Sequence, residues 1–184
     1  MKRICFLTNY NLYESKRCFT KYLAEALERA GIKTLVLEVS GGMLSDEIIR
    51  QIVIFCPDLL ASFNSILPVE NGHYYWDYLS IPHLSILVDP SFYSTGLIRS
   101  PYSWISCVDR SDCKAISSTG FQKVFFLPHA VERELSFDET AERPYEVVFL
   151  GSCHDYEGLR ALWQKKLTPE ACVMLDHAIE VVLS

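Results

Sequence analysis

The feature that most constrains this chain is a repeated alternation of short apolar runs with segments of helical periodicity. The first apolar run, Arg3 to Thr8, ends in a polar loop, and an apolar stripe of helical spacing then continues to Gly31, where a helix should stop. Five further runs begin near Thr34, Asp58, His83, Trp104 and Lys123. Near-continuous apolar runs separated by helices are typical of parallel strands buried on both faces. The sequence therefore predicts an α/β fold with a Rossmann-like, doubly wound parallel sheet of six strands within residues 1–130.

Individual residues predict where several elements begin and end. Ser45 is expected to cap the second helix, and Asp109 to cap a short helix that stops at Gly120. The aromatic segment 73–79 is expected to form a short helix. Residues 91–102 lack helical periodicity and are predicted to be a loop.

The aromatic segment 73–79 allows two interpretations. Its tyrosines and Trp76 either form a stacking platform for a sugar or a base, or plug a sheet edge or a subunit contact.

The charge balance excludes one class of partner. The chain has 184 residues, a formal net charge of −6 and a pI near 5.4. A nucleic-acid-binding protein needs a basic face, and Lys16, Arg17 and Lys21 are interspersed with Glu14 and Glu25. We interpret this stretch as a solvated helix face and expect no nucleic-acid partner.

The cysteines indicate the compartment. There are seven, with no CxxC pair and no secretory signal at the amino terminus, which favours free thiols in the cytoplasm. No apolar stretch approaches the ~18 residues of a membrane span. The Cys153-His154-Asp155 cluster is too closely spaced for one ion, so we expect no metal and no cofactor.

Candidate site residues follow from the predicted topology, because open parallel sheets bind ligands at the carboxyl ends of their strands. The polar residues expected there are Thr8, Asn9, Tyr10, Asn64, Asp89, Asp109, His129, Gly151 and Ser152. The first turn, Thr8 to Ser15, contains no glycine, which excludes a dinucleotide fingerprint or a P-loop at that place.

Each candidate also has a structural interpretation. Asp89 is either a base or an acceptor for a sugar hydroxyl, or it forms an Asx-type turn that ends its strand. Asp109 is more simply explained as a helix cap. His129 has either a hydrogen-bonding role at the rim or a contact with the ligand.

The order of segments resembles that of a known family. The runs 104–112, 119–131 and 145–152, together with Ile81-Pro82 and Val88-Asp89, are similar to the GT-B glycosyltransferases. The closest resemblance is to the CgeB/YkvP-like group with a DUF3880-type N-terminal region. It implies that residues 1–138 form the acceptor-side domain. Residues 139–184 would then be a linker plus the start of a C-terminal domain, with a strand over 145–150 followed by helices.

The resemblance also implies a function. The family transfers sugar from a nucleotide-sugar donor to a sugar or protein acceptor, with Asp89 in the position of the base and Gly151-Ser152 near the donor phosphates. Residues after Leu150 are too few for a donor-binding domain, so the isolated chain is expected to be inactive without a missing C-terminal domain or a homo-oligomeric partner.

Two other functions stay open at this point. The chain could be a non-catalytic binding or assembly module, with the aromatic segment as its contact surface, or a small-molecule enzyme of another class on the same fold.

Overall fold

The computed structural model of the chain describes most of its residues. These are residues 2–11, 14–39, 44–64, 66, 68–69, 71–131, 140, 142, 144–147 and 155–183. The chain divides into two compact units, Met1–Leu135 and Ser136–Ser184. None of the described helices is long and apolar enough to cross a membrane.

The first unit is built on a six-stranded sheet in which every neighbouring pair is parallel. Its strands are β1 Arg3–Thr8, β2 Lys33–Glu38, β3 Leu59–Phe63, β4 His83–Leu87, β5 Ser103–Cys107 and β6 Val124–Phe126. The prediction of a doubly wound, Rossmann-like parallel sheet is confirmed. The order is β2-β1-β3-β4-β5-β6, so the direction of winding reverses between β1 and β3. This is the flavodoxin-like order, which differs from the 3-2-1-4-5-6 order of dinucleotide-binding domains.

Four helices of the first unit begin and end close to the predicted residues. They are α1 Ser15–Arg29, α2 Asp46–Phe55, α3 Tyr75–Leu79 and α4 Arg110–Ser118. The Ser45 hydroxyl caps α2 by accepting a hydrogen bond from the backbone amide three residues on, at 3.3 Å. Gly31 and Gly120 have φ values of 80° and 91°, a left-handed conformation that glycine adopts without a steric cost.

The segment predicted to be a loop after β4 is instead helical. Ser91–Arg99 forms 3₁₀ turns with a kink at Ser94. Leu97 is fully buried in the core, and the Ser91 amide donates to the Asp112 carboxylate at 2.9 Å. These tertiary contacts stabilise turns that the sequence periodicity does not indicate, because 3₁₀ turns are short and do not follow a 3.6-residue repeat.

Trp76 of the aromatic segment lies in the core of the first unit. Trp76 is fully buried, with its ring stacked 3.7 Å from the His83 ring. Its indole N–H donates to the hydroxyls of Ser100 and Ser103 at 3.1 and 3.0 Å. Trp76 is therefore a core residue, and the interpretation of its ring as a platform for a sugar or a base is wrong.

The two faces of the sheet carry apolar clusters of unequal size. The larger apolar cluster includes residues of α2, α3, α4 and the 3₁₀ segment, packed on strand residues such as Leu60 and Ile105. The smaller cluster contains Phe6 and Ala61 under Ala24 of α1, on the opposite face. On this face α1 packs on β1, β2 and β3.

The described part of the second unit contains two helices, α5 Tyr156–Lys166 and α6 Pro169–Leu183. The Asp155 carboxylate caps α5 by accepting from the Gly158 amide at 2.9 Å, and an ion pair of 3.1 Å joins Arg160 to Asp176. The strand predicted over 145–150 is described only at 145–147, where the backbone is not a strand.

Candidate functional site

The reversal of strand order creates a crevice at the carboxyl edge of the sheet. Helix α1, which follows β1, packs on one face of the sheet, and α2, which precedes β3, packs on the other face. The loops that leave the carboxyl ends of β1 and β3 therefore diverge. Thr8 and Asn9 lie at the end of β1, Asn64 directly follows β3, and Asp89 follows β4 two residues after its end. The structure thus brings four of the predicted residues to one part of this edge.

Asn64 holds the Asp89 carboxylate in place. Its backbone is left-handed, with φ of 55°, a conformation that asparagine tolerates better than most residues. Its side-chain oxygen accepts hydrogen bonds from the amides of Val88 and Asp89, at 3.0 and 3.3 Å. Its side-chain nitrogen donates to Asp89 Oδ2 at 2.7 Å. The exposed carboxylate is therefore oriented by a neighbour that also fixes the end of β4.

Lys16 supplies a positive charge to the same crevice. It lies in the first turn of α1, and its ammonium donates to Asn9 Oδ1 at 3.3 Å. Partial burial lowers the pKa of Lys16, and the Asp89 carboxylate opposes this effect by favouring the charged ammonium. Lys16 is therefore only partly exposed, whereas Lys21, further along α1, is 69% exposed.

The start of α1 is fixed by local side-chain hydrogen bonds. Asn11 accepts from the Lys16 amide at 3.3 Å and donates to the Ser15 hydroxyl at 2.8 Å. These contacts place the first turn of α1 beside the end of β1. The backbone of Lys16 is thereby fixed beside the crevice, and its ammonium is held there by the hydrogen bond to Asn9.

Arg17, Tyr10 and Thr8 lie beside this group. Arg17 forms ion pairs with Glu14, at 3.3 Å, and with Glu38 on the edge strand β2. The exposed Tyr10 ring lies 5.7 Å from the Arg17 guanidinium. The Thr8 hydroxyl is buried and makes no hydrogen bond with the described residues.

Two of the other predicted residues, Asp109 and His129, follow β5 and β6, away from the reversal of strand order. Asp109 caps α4: its carboxylate accepts from the Ser111 amide, and this bond lowers the pKa of Asp109. His129 is exposed on the segment that follows β6. Gly151 and Ser152 lie outside the described residues.

A groove on the α1 face adjoins the crevice. Its volume is about 880 Å³. Phe63, Ile86, Val88 and Val108 form its floor, α1 forms one wall, and residues 127–131 form the other wall, which includes His129.

The chemistry available in the crevice is that of one carboxylate, one ammonium and two amides. A carboxylate held by an amide can accept a hydrogen bond from a hydroxyl group and remove its proton. Within the described ranges, no three His, Cys, Asp or Glu side chains are grouped as metal ligands.

Lys16 is the member of the site that the sequence analysis missed. A signal was present in the sequence, since a helix that starts directly after β1 must place its first-turn side chains at the carboxyl edge. Comparisons with protein-family models, curated proteins and solved structures give no match for this chain.

Proposed function

We propose that the first unit is the acceptor-side domain of a glycosyltransferase-like enzyme, and that a hydroxyl-bearing acceptor binds over the carboxyl ends of β1, β3 and β4. One observation carries this proposal. At the reversal of strand order, Asn64 orients the Asp89 carboxylate, and this carboxylate attracts the Lys16 ammonium electrostatically. Ligands of doubly wound sheets bind at such reversals.

In the proposed reaction Asp89 is the general base. The acceptor hydroxyl donates a hydrogen bond to the carboxylate, and its oxygen attacks the anomeric carbon of the donor sugar. The bond from that carbon to the diphosphate oxygen breaks, and the hydroxyl proton passes to Asp89. A positioned base contributes roughly 10²–10⁴-fold in rate. Asn64 is a positioning residue in this scheme, and Lys16 supplies a positive charge beside the reacting groups.

The donor side of the reaction belongs to other residues. The resemblance to GT-B enzymes places the nucleotide-sugar near Gly151 and Ser152 and requires a donor-binding domain or a second subunit. We therefore expect the chain alone to bind UDP- and GDP-sugars no more tightly than about millimolar, on the order of −4 kcal/mol. The six described cysteines are free thiols, which supports a cytoplasmic location for this enzyme.

A second candidate is a non-catalytic binding module on the same fold. The groove on the α1 face favours it, because a large apolar depression at the surface marks a place where a ligand or a partner binds. Under this alternative Asp89 binds a hydroxyl group without removing its proton.

Calorimetry with a panel of methyl glycosides tests acceptor binding on the full chain. We expect Lys16→Met and Asp89→Asn to weaken binding of the best glycoside about tenfold, which corresponds to the loss of roughly 1.4 kcal/mol. Lys21→Met removes the same charge from an exposed position of α1 and should change the affinity less than about twofold. Equal effects of the two lysine substitutions would show that the crevice is not the site.

Measuring transfer separates the two candidates. With the donor-binding partner supplied, Asp89→Asn should abolish sugar transfer while the acceptor still binds. Transfer at the unchanged rate would rule out Asp89 as the base.

A further inference from the structure

Two cysteines lie side by side where β5 leads into α4. Cys107 is the last residue of β5 and is buried, and Cys113 is partly buried near the start of α4. The Cys113 amide donates to the Asp109 carbonyl at 3.3 Å, which fixes the start of the helix directly after the strand. The thiols of Cys107 and Cys113 lie within hydrogen-bonding reach of each other. The fold therefore brings two sulfur atoms together at one strand–helix junction.

The two thiols differ in their access to solvent and in their ionisation. Burial raises the pKa of the Cys107 thiol to about 12, and the neighbouring Cys113 thiol adds to this increase. Cys107 therefore stays protonated at neutral pH, and a protonated, buried thiol reacts slowly with an oxidant. Cys113 is partly exposed. An oxidant in solution should therefore react with Cys113 first, beside the Cys107 sulfur.

The start of α4 is also connected to the crevice. Asp112, the residue before Cys113, accepts a hydrogen bond from the Ser91 amide at 2.9 Å. Ser91 is buried and lies two residues after Asp89. A displacement at the start of α4 would therefore act on the backbone that follows the Asp89 carboxylate.

We propose that hydrogen peroxide joins Cys107 and Cys113 in a disulfide that weakens the contact of Ser91 with Asp112. The Cys113 sulfur attacks one peroxide oxygen, the O–O bond breaks, and a sulfenic acid and one water form. The Cys107 sulfur then attacks the Cys113 sulfur, the S–O bond breaks, and the hydroxyl group leaves with the Cys107 proton as a second water. The two thiols lose two electrons, and one peroxide is reduced to two waters.

The new bond should move α4 rather than β5. A disulfide brings two sulfur atoms to about 2 Å, closer than any non-bonded contact. Cys107 is held in the sheet by pairing with β4 on one side and β6 on the other. The start of α4 has no such pairing, so it should take up the shift. Asp112 would then move with Cys113 and away from its position opposite the Ser91 amide.

Peptide mapping tests the disulfide. The full chain would be treated with hydrogen peroxide, alkylated with iodoacetamide in urea, and digested with trypsin, which cuts after Arg110 and Lys114. Cys107 and Cys113 then fall in separate peptides, residues 100–110 and 111–114. We expect mass spectrometry to find these two peptides linked as the main oxidation product of Cys113, and a reducing agent to separate them.

Two matched substitutions identify the partners. Cys113→Ser should remove the linked peptide and leave Cys107 free for alkylation. Cys18→Ser removes an exposed cysteine of α1 and should leave the linked peptide unchanged. Three outcomes would overturn the inference: a disulfide from Cys113 to any other cysteine, a sulfinic acid at Cys113 with Cys107 still free, or oxidation of Cys18 that leaves Cys113 unmodified.

Hydrogen exchange at the Ser91 amide, measured by NMR at constant pH, tests the coupling to the crevice. The Asp112 carboxylate protects this amide in the reduced protein, so the disulfide should speed its exchange about tenfold. Asp112→Ala removes the acceptor, and its Ser91 amide should exchange rapidly in both redox states. An unchanged exchange rate in the wild type after the disulfide has formed would overturn the inference.

Binding of a methyl glycoside separates this inference from the proposed function. A weaker affinity of the oxidised wild type than of the reduced protein is expected, and this consequence alone rests on the proposed function. Asp112→Ala should bind the glycoside equally in both redox states. If no glycoside binds the reduced protein, the proposed function fails, while the linked peptide and the Ser91 exchange rate still decide whether the disulfide and its coupling exist.

Discussion

Protonation of His83 should destabilise the first unit in mild acid. His83 is fully buried, and its two ring nitrogens lie 3.0 Å from the Ser62 hydroxyl and 3.3 Å from the Ser85 hydroxyl. No carboxylate is among these partners. Burial lowers the pKa of His83 from 6.5 to about 3, because the core offers no compensation for the charge of an imidazolium.

The sign and size of the effect follow from proton linkage. Between about pH 3 and 6.5 the unfolded chain binds a proton at His83 and the folded chain does not. The stabilisation is therefore fully present above pH 6.5 and is lost as the pH falls towards 3. At about pH 4.5, two units below the unfolded pKa, the free energy of unfolding should be lower by about 2.7 kcal/mol than at neutral pH.

Urea unfolding followed by tryptophan fluorescence, from about pH 7.5 to 4.5, would measure this loss. His83→Gln removes the titrating group. Over this pH range the free energy of unfolding of the variant should therefore fall about 2.7 kcal/mol less than that of the wild type. At pH 7.5 the variant should be less stable than the wild type. His129→Gln, at an exposed position, should follow the wild type. If His83→Gln and the wild type lose stability in parallel, the buried neutral histidine is not the cause.

Three further predictions concern packing, capping and thiol reactivity. In urea unfolding, Trp76→Ala should lower the free energy of unfolding by about 3–5 kcal/mol. Tyr78→Ala, at a side chain 61% exposed, should change it by about 0.5 kcal/mol or less. Similar losses in the two variants would contradict the assignment of Trp76 to the core. Asp109→Ala should lower the free energy of unfolding by about 1 kcal/mol, because α4 loses its cap. An unchanged midpoint of urea unfolding would show that Asp109 does not stabilise α4. Because burial raises the pKa of Cys5 to about 12, iodoacetamide should modify the exposed Cys18 first, and mass spectrometry showing the reverse order would refute the burial of Cys5.

Much of the fold could be predicted because its strands are buried on both faces. The run from Arg3 to Thr8 forms a strand over the predicted residues. A strand that is buried on both faces is apolar along its length, so the run is easy to recognise in the sequence. The order of the strands could not be predicted in this way, because apolar runs carry no information about which neighbours they pair with. The 3₁₀ turns of Ser91–Arg99 were missed because Leu97 and Asp112 stabilise them through contacts across the fold.

The candidate site was predictable only in part, for a different reason. Thr8, Asn64 and Asp89 were found because any polar residue that ends a parallel strand lies at the carboxyl edge. Lys16 was assigned to a solvated face because Glu14 and Glu25 are interspersed with the basic residues of that stretch. What decides its position is the start of α1, which depends on hydrogen bonds of Asn11 that no periodicity reveals.

The hydrogen bonds around Asp89 contradict one of its two interpretations, the Asx-type turn. An Asx-type turn would need the Asp89 side chain to accept a hydrogen bond from the amide of Ser91, two residues later. That amide donates to Asp112 instead, at 2.9 Å. The amides of Val88 and Asp89 are satisfied by Asn64, so ending the strand does not require the Asp89 carboxylate. Within the described part of the chain Asp89 Oδ1 accepts no hydrogen bond, which leaves an oriented, exposed oxygen for a ligand at the reversal of strand order.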